Sequence, residues 1–195
     1  MSFEMSVKTN PEYRREQITH IFSQRCAGFT SLLVVAAVLL GAVILDQATK
    51  FAALTFLSEP QYKIEVTPFF NLRLGFNTGV GFGVFGDVFS NQQWPLITIT
   101  IVIAVALTVW ALRVDRLLET LAIVLIAGGA FGNIIDRIRQ GAVTDFLDLH
   151  AMGWHWPAFN FADVFIFVGA ASTIILSFLT PETNGGERRE IENES

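Results

Sequence analysis

Charged residues divide the chain into polar flanks and four long apolar runs. No charge falls in the 20 residues between Arg25 and Asp46, the 25 between Asp87 and Arg113, the 16 between Glu119 and Asp136, or the 18 between Asp163 and Glu182. Crossing ~30 Å of hydrocarbon takes about 20 residues of helix. The runs therefore predict four transmembrane helices, near 29–50, 93–112, 117–136 and 161–180. A buried helix of a water-soluble protein keeps a polar stripe, whereas Trp94–Leu112 carries threonines but no charge on any face. The first run exceeds the apolar core of a signal peptide and no small-x-small cleavage site follows it, so it reads as an uncleaved span. Between the first two runs, Phe70, Leu72, Leu74 and Phe76 alternate with Asn71, Arg73, Gly75 and Asn77. That period of two predicts a short strand with one apolar face. The expected fold class is an all-α membrane protein: four transmembrane helices with a small extracytoplasmic β-rich loop between helices 1 and 2. The expected divisions are an N-terminal extension at 1–28, a four-helix domain at 29–180 and a polar C-terminal tail at 181–195.

Composition agrees with this pattern. The 195 residues are 52% hydrophobic and only 16% charged, where soluble proteins run near about a quarter charged. Acids outnumber bases 18 to 13, which leaves no polybasic patch for nucleic acid. A single cysteine, Cys26, excludes an internal disulfide framework and any multi-cysteine zinc site. Lysine and arginine counts orient the spans. Lys8, Arg14, Arg15, Arg25, Arg113, Arg116, Arg188 and Arg189 fall on one side. Lys63, Arg73, Arg137 and Arg139 fall on the other, with Lys50 at the membrane edge. Both termini are therefore expected in the cytoplasm.

With that orientation the polar residues within or beside the spans gather at one level, the outer ends of the helices. Ionisable groups there are functional candidates because they are costly. Asp46 and Lys50 are four residues apart on one helical face, Asn133, Asp136 and Arg137 share another, and Asn160 and Asp163 a third. Ion pairs that only fix helix packing would explain Asp46, Lys50, Asp136 and Arg137 equally well. Asp145 and Asp163 suggest more, because two carboxylates brought together share a proton and can act as acid and base. Eighteen residues separate them, and spacing alone does not bring them together. The sequence Gly81-Phe-Gly83-Val-Phe-Gly86 matches a dinucleotide fingerprint but lacks its strand–helix context. His150 and His155 with Asp148 match no metal-binding spacing and, beside Trp154 and Trp156, read as an interfacial aromatic belt. A transporter would place its acids near midplane and show paired repeats; neither is visible. A non-catalytic scaffold would keep the ion pairs without turnover.

Five stretches, in order, carry a resemblance: Asp46-Gln-Ala-Thr-Lys50, Asn77-Thr-Gly-Val-Gly-Phe82, Gly128-Gly-Ala-Phe-Gly-Asn-Ile-Ile-Asp-Arg137, Val143-Thr-Asp-Phe146 and Phe159-Asn-Phe-Ala-Asp163. On a four-helix plan the chain resembles the lipoprotein signal peptidases of bacteria (signal peptidase II), from about Leu32 to Leu179. The resemblance implies an intramembrane aspartyl endopeptidase of the bacterial inner membrane with its active site at the outer face. It implies Asp145 and Asp163 as the catalytic pair, Asp136 in support, and Asp46, Lys50, Asn77, Asn133, Arg137 and Asn160 around the substrate. The implied substrate is a prolipoprotein carrying diacylglycerol on the cysteine after the cleavage site. Globomycin-type inhibitors and membrane lipid are implied as further partners. No metal or organic cofactor and no nucleic acid is implied, and a monomer is expected. One departure is Gly81, where the family usually has alanine or serine.

Overall fold

The computed structural model describes residues 11–58, 63–79 and 93–179, with side chains from Leu32 onward. The glycine-rich motif, Gly81 and the C-terminal tail lie outside the described residues. The elements are α1 (Pro11–Phe56), β1 (Lys63–Thr67), β2 (Phe70–Asn77), α2 (Trp94–Ala111), α3 (Leu117–Gln140), β3 (Val143–Ala151), β4 (Trp154–His155) and α4 (Phe161–Leu179).

Four helical stretches are long and apolar enough to cross a membrane: Leu32–Phe56, Trp94–Ala111, Leu117–Gln140 and Phe161–Leu179. Two outrun their predicted ends, α1 at both ends and α3 from 136 to 140. The charges that marked those ends, Lys50, Asp136 and Arg137, are buried and paired, so they do not stop the helix. Burial is inverted relative to a protein in water. Leu40, Ile44, Phe51, Val102, Ile174 and Phe178 are more than half exposed, while Asp46, Lys50, Asp136 and Arg137 are buried. That distribution is stable only where the surrounding medium is hydrocarbon.

The central helix is α3, which packs against each of the other three. It does so through small residues, as membrane helices commonly do, because close backbone approach replaces the hydrophobic effect. A Cβ on Gly129 would strike the carbonyl oxygen of Ala162 in α4, and one on Gly132 would strike the carboxylate of Asp46 in α1. At its C-terminal end α3 stops at Gly141, whose φ of 74° is left-handed and whose N–H returns to the Arg137 carbonyl.

A four-stranded antiparallel sheet in the order β1-β2-β3-β4 sits at that end. The connection between α1 and α2 supplies only its first half. The β3–β4 hairpin comes from the connection between α3 and α4, which the sequence reading left without strands. Phe70, Leu72 and Leu74 pack on Ala53, Leu57, Phe146 and Leu147, so the apolar face of β2 ties the sheet to α1.

Replacing Gly132 with alanine drives a methyl into Asp46 and should destabilise the fold by about 1–3 kcal/mol. Gly41→Ala, whose Cβ would meet nothing within 4 Å, should leave stability unchanged or higher. Thermal unfolding of the two purified variants in detergent separates the outcomes.

Candidate active site

The eight residues singled out from the sequence converge on one place, at the C-terminal ends of α1 and α3 and the N-terminal end of α4. Lys50 anchors the inner layer. Its ammonium lies 2.8 Å from Asp46 Oδ2, 3.1 Å from Asp136 Oδ2 and 2.8 Å from Asn133 Oδ1. Its three donors are thus matched by three acceptors from two helices. Asp46 Oδ1 accepts the Ala162 N–H at 2.9 Å, one of the donors that the first turn of α4 leaves without a partner inside the helix. Asp136 Oδ2 accepts the Thr144 N–H at 2.9 Å, fixing where β3 leaves α3.

The second layer starts from Asn133. Its amide nitrogen donates to Asp163 Oδ1 at 3.0 Å. Asn160 and Asp163 close a reciprocal cap at the start of α4. The Asp163 N–H donates to Asn160 Oδ1 at 3.1 Å, and the Asn160 N–H donates to Asp163 Oδ2 at 3.3 Å. The Asn160 amide nitrogen also donates to Asp145 Oδ1 at 2.6 Å. Asn160 therefore bridges Asp145 to Asp163. The bridge depends on the sheet: Phe159 pairs with Leu147 through N–H···O bonds of 2.9 and 3.1 Å, and this stitch brings Asn160 beside Asp145.

Asn77 reaches Asp145 from the other side by a side-chain hydrogen bond. Its approach needs an irregularity in the pairing of β2 with β3. Leu72 faces Leu147, but Gly75, not Leu74, faces Asp145. One extra residue in β2 exchanges the faces of everything beyond it. Without this bulge Leu74 and Phe76 would lie on the face of Asp145; with it Gly75 and Asn77 do.

Asp145 is buried at 3% exposure. Burial, reinforced by the charge of Asp163, pushes its carboxyl up to about 7, against the hydrogen bonds of Asn160 and Asn77 and the charge of Lys50. Asp163 is only partly buried and lines a cavity of about 440 Å³ with Asn77, Asn133, Arg137, Leu96 and Thr100. The guanidinium of Arg137 donates to the Gly79 carbonyl at 2.7 Å, and its Nε has no protein partner among the described residues.

The sequence reading missed Gln47, and it saw Asp148 only as part of a rejected metal site. The Gln47 amide donates to Asp136 Oδ1 at 3.0 Å and to the Gly132 carbonyl at 3.1 Å, joining α1 to α3. Asp148 is fully buried in the sheet, where Asn71 donates to it at 3.2 Å and His155 Nδ1 lies 2.8 Å away. Burial opposes its charge, but His155, Asn71 and Arg73 hold its carboxyl below the ordinary range. The alternation of Leu147 and Leu149 with Asp148 and His150 was the available signal for that strand.

Residues 38–179 match the family model described as signal peptidase (SPase) II. The chain is 42% identical over 151 residues to a lipoprotein signal peptidase of Polynucleobacter necessarius, covering 74% of this chain and 88% of that one. A lipoprotein signal peptidase of Coxiella burnetii is 38% identical over 146 residues, covering 72% and 87%. A bacterial membrane enzyme solved by the in meso method superposes with a TM-score of 0.64 at 33% identity, over 81% of this chain and 92% of that one. The chain belongs to the signal peptidase II family. As a lipoprotein signal peptidase it is an aspartic peptidase and a bacterial membrane protein with four candidate spans.

For this signal peptidase the Lys50 cluster makes a stability prediction. Lys50→Met leaves Asp46 and Asp136 buried without their cation, and breaking such a buried pair costs about 3–5 kcal/mol. Chemical denaturation in detergent should show a loss of that order, well beyond the loss for an exposed pair such as Lys63–Glu65 broken by Lys63→Met.

Proposed function

We propose that Asp145 and Asp163 are the catalytic pair, and that the enzyme removes the signal peptide from diacylglyceryl-modified prolipoproteins by cutting before the lipidated cysteine. The observation that carries this reading is the Asp145–Asn160–Asp163 arrangement. It ties two carboxylates of unlike environment to one asparagine, with Asp163 on the wall of a cavity between α2 and α4. Near neutral pH the pair holds one proton between them, because two adjacent negative charges resist full ionisation. The ionised member takes a proton from water, and the water oxygen attacks the scissile carbonyl carbon. The protonated member gives its proton to the carbonyl oxygen. Collapse of the tetrahedral intermediate then expels the amine, which leaves with a proton returned through the pair. Asn77, Asn133 and Arg137 line that cavity and, with Asn160 behind them, supply donors and acceptors for the substrate backbone; the buried Nε of Arg137 has no partner among the described residues.

The cavity also suits the proposed substrate. From its polar rim it descends past Ala130, Thr100 and Ala170, with apolar walls for an apolar signal helix. In this reading both termini are cytoplasmic, as the lysine and arginine bias indicates, the site faces the outer leaflet, and globomycin-type compounds compete for the same cavity. The N-terminal extension and C-terminal tail are then cytoplasmic appendages to the peptidase domain.

The test is release of signal peptide by the purified enzyme from a prolipoprotein with and without its diacylglyceryl group. Cleavage should require the lipid. Asp145→Asn and Asp163→Asn should each lower the rate by roughly 10²–10⁴-fold at normal protein levels, whereas Asp136→Asn should chiefly lower protein abundance. Near-normal rates in either of the first two variants would reject the assignment.

A pH prediction follows from the burial of Asp145. Its carboxyl sits at about 7 in the folded protein against 3.8 when free. The folded state therefore binds more protons between those values, and stability falls as pH rises through that window. Asp145→Asn cannot ionise, so it should melt at a higher temperature than the unaltered enzyme above neutrality. The two should converge in acid. Turnover of the unaltered enzyme should decline as pH rises through about 7, where the pair loses its proton.

A further inference from the structure

Asp163 and Phe167 stand one helical turn apart on α4, and two cavities share them. The larger is the one between α2 and α4. The smaller, of about 300 Å³, lies on the other flank of α4 beneath the β3–β4 hairpin. Apart from Asp163 its lining is apolar: Leu149, Trp156, Phe159, Val164 and Phe167.

A peptidase needs room for what lies on each side of the bond it breaks. On the reading above, the residue after the scissile bond is a cysteine whose sulfur carries a diacylglyceryl group. Only a few covalent bonds separate the scissile carbonyl from the first ester, so an acyl chain must leave the site within reach of Asp163. The peptide before the bond brings backbone polar groups, which the rim of the larger cavity can meet. An acyl chain beyond its ester has none, and the smaller cavity offers it none. Resting on that reading of the substrate, we propose that the smaller cavity holds the ester-proximal part of one acyl chain of the diacylglyceryl group. The rest of the chain passes Phe167 and continues into the bilayer along the exposed face of Phe167, Ile174 and Phe178.

One wall of this cavity is built with particular care. Trp156 donates its N–H to the Leu149 carbonyl at 2.8 Å and meets Trp154 edge-on, with ring centroids 5.6 Å apart. Its neighbour His155 is tied to the buried Asp148 at 2.8 Å and lies on the His150 ring, with centroids 5.0 Å apart. A carboxylate buried inside a sheet and bonded to an adjacent histidine fixes the backbone from which Trp156 projects. His155 is thus a positioning residue for the lipid wall.

The experiment measures KM and kcat for one prolipoprotein peptide in two forms, S-dipalmitoylglyceryl and S-glyceryl without acyl chains. The unaltered enzyme should show a much lower KM for the acylated form. Val164→Phe, which fills the smaller cavity, and Trp156→Ala, which removes its wall, should each shrink that KM difference about tenfold, the worth of about two buried methylenes. The loss should fall on KM rather than kcat. His155→Ala should act in the same direction, and His155→Asn, which can still donate to Asp148, should restore most of the difference. Ala170→Phe, which fills the larger cavity, should weaken both forms alike. A KM difference that survives both Val164→Phe and Trp156→Ala overturns this inference alone, as does a difference abolished selectively by Ala170→Phe. Equal KM values for the unaltered enzyme would instead remove the lipid-dependent reading, and this inference with it.

Discussion

The structure turns on one ammonium group buried in a bundle that hydrocarbon surrounds. Lys50 is 2% exposed and has nowhere to discharge its field except into Asp46, Asp136 and Asn133. An unmatched charge there would cost several kcal/mol, so the three acceptors must arrive together. Their arrival fixes the register of α1 against α3. Each carboxylate also accepts a backbone N–H from elsewhere, Asp46 on its other oxygen from Ala162 and Asp136 on the same oxygen from Thr144. Asn133, held by Lys50 on its oxygen, turns its nitrogen to Asp163. One cation thereby sets the start of α4, the start of β3 and the orientation of Asp163. The buried ion pairs are as much a positioning device as a source of stability.

The same medium explains the charge state of the site. Among the described residues four carboxylates, Asp46, Asp136, Asp145 and Asp163, meet two cations, Lys50 and Arg137, at one end of the bundle. Asp46 and Asp136 take the direct contacts with Lys50. Asp145 receives only amide hydrogen bonds and a more distant field, and burial dominates its titration. The two kinds of acid are therefore separated by what lies within hydrogen-bond reach. Those that touch a cation hold the fold, whereas burial raises the carboxyl of Asp145, which touches asparagine. Neutral amide partners can orient a carboxylate without locking it in its ionised form, as a direct lysine contact would.

Much of this was legible in the sequence. Charge-free runs located four spans, because a charge inside hydrocarbon is rare. The i, i+3 and i, i+4 spacings of Asn133, Asp136 and Arg137 and of Asn160 and Asp163 identified the inward faces. The resemblance brought the eight site residues together as a set. What local pattern could not supply was long-range. The β3–β4 hairpin lies in a segment whose alternation is broken by the adjacent apolar pair Phe146 and Leu147, both buried because the strand is covered on both faces. The helix ends at Lys50 and Asp136 were placed too early because a charge was taken to meet water, when Lys50 also meets Asn133, 83 residues away, and Asp136 meets Lys50 on α1 and Thr144 on β3. Gln47 escaped notice because an uncharged amide in an apolar run carries no signal until its acceptors are known.

The bulge in β2 shows why such a site resists inference from periodicity. Perfect alternation from Phe70 to Asn77 describes a strand with an apolar and a polar face, and regular pairing would turn the apolar face of its second half toward Asp145. Between Leu72 and Gly75 the strand gains one residue on its partner, and the faces exchange. Leu72 continues to pack on the Leu147 cluster while Asn77 comes within reach of Asp145. A single strand thus serves two surroundings in succession, an apolar seat on α1 and a polar wall of the cavity that Asp163 lines. The irregular step, between the apolar seat and the polar cluster, is where the strand departs from its own local rule so that Asn77 can reach Asp145.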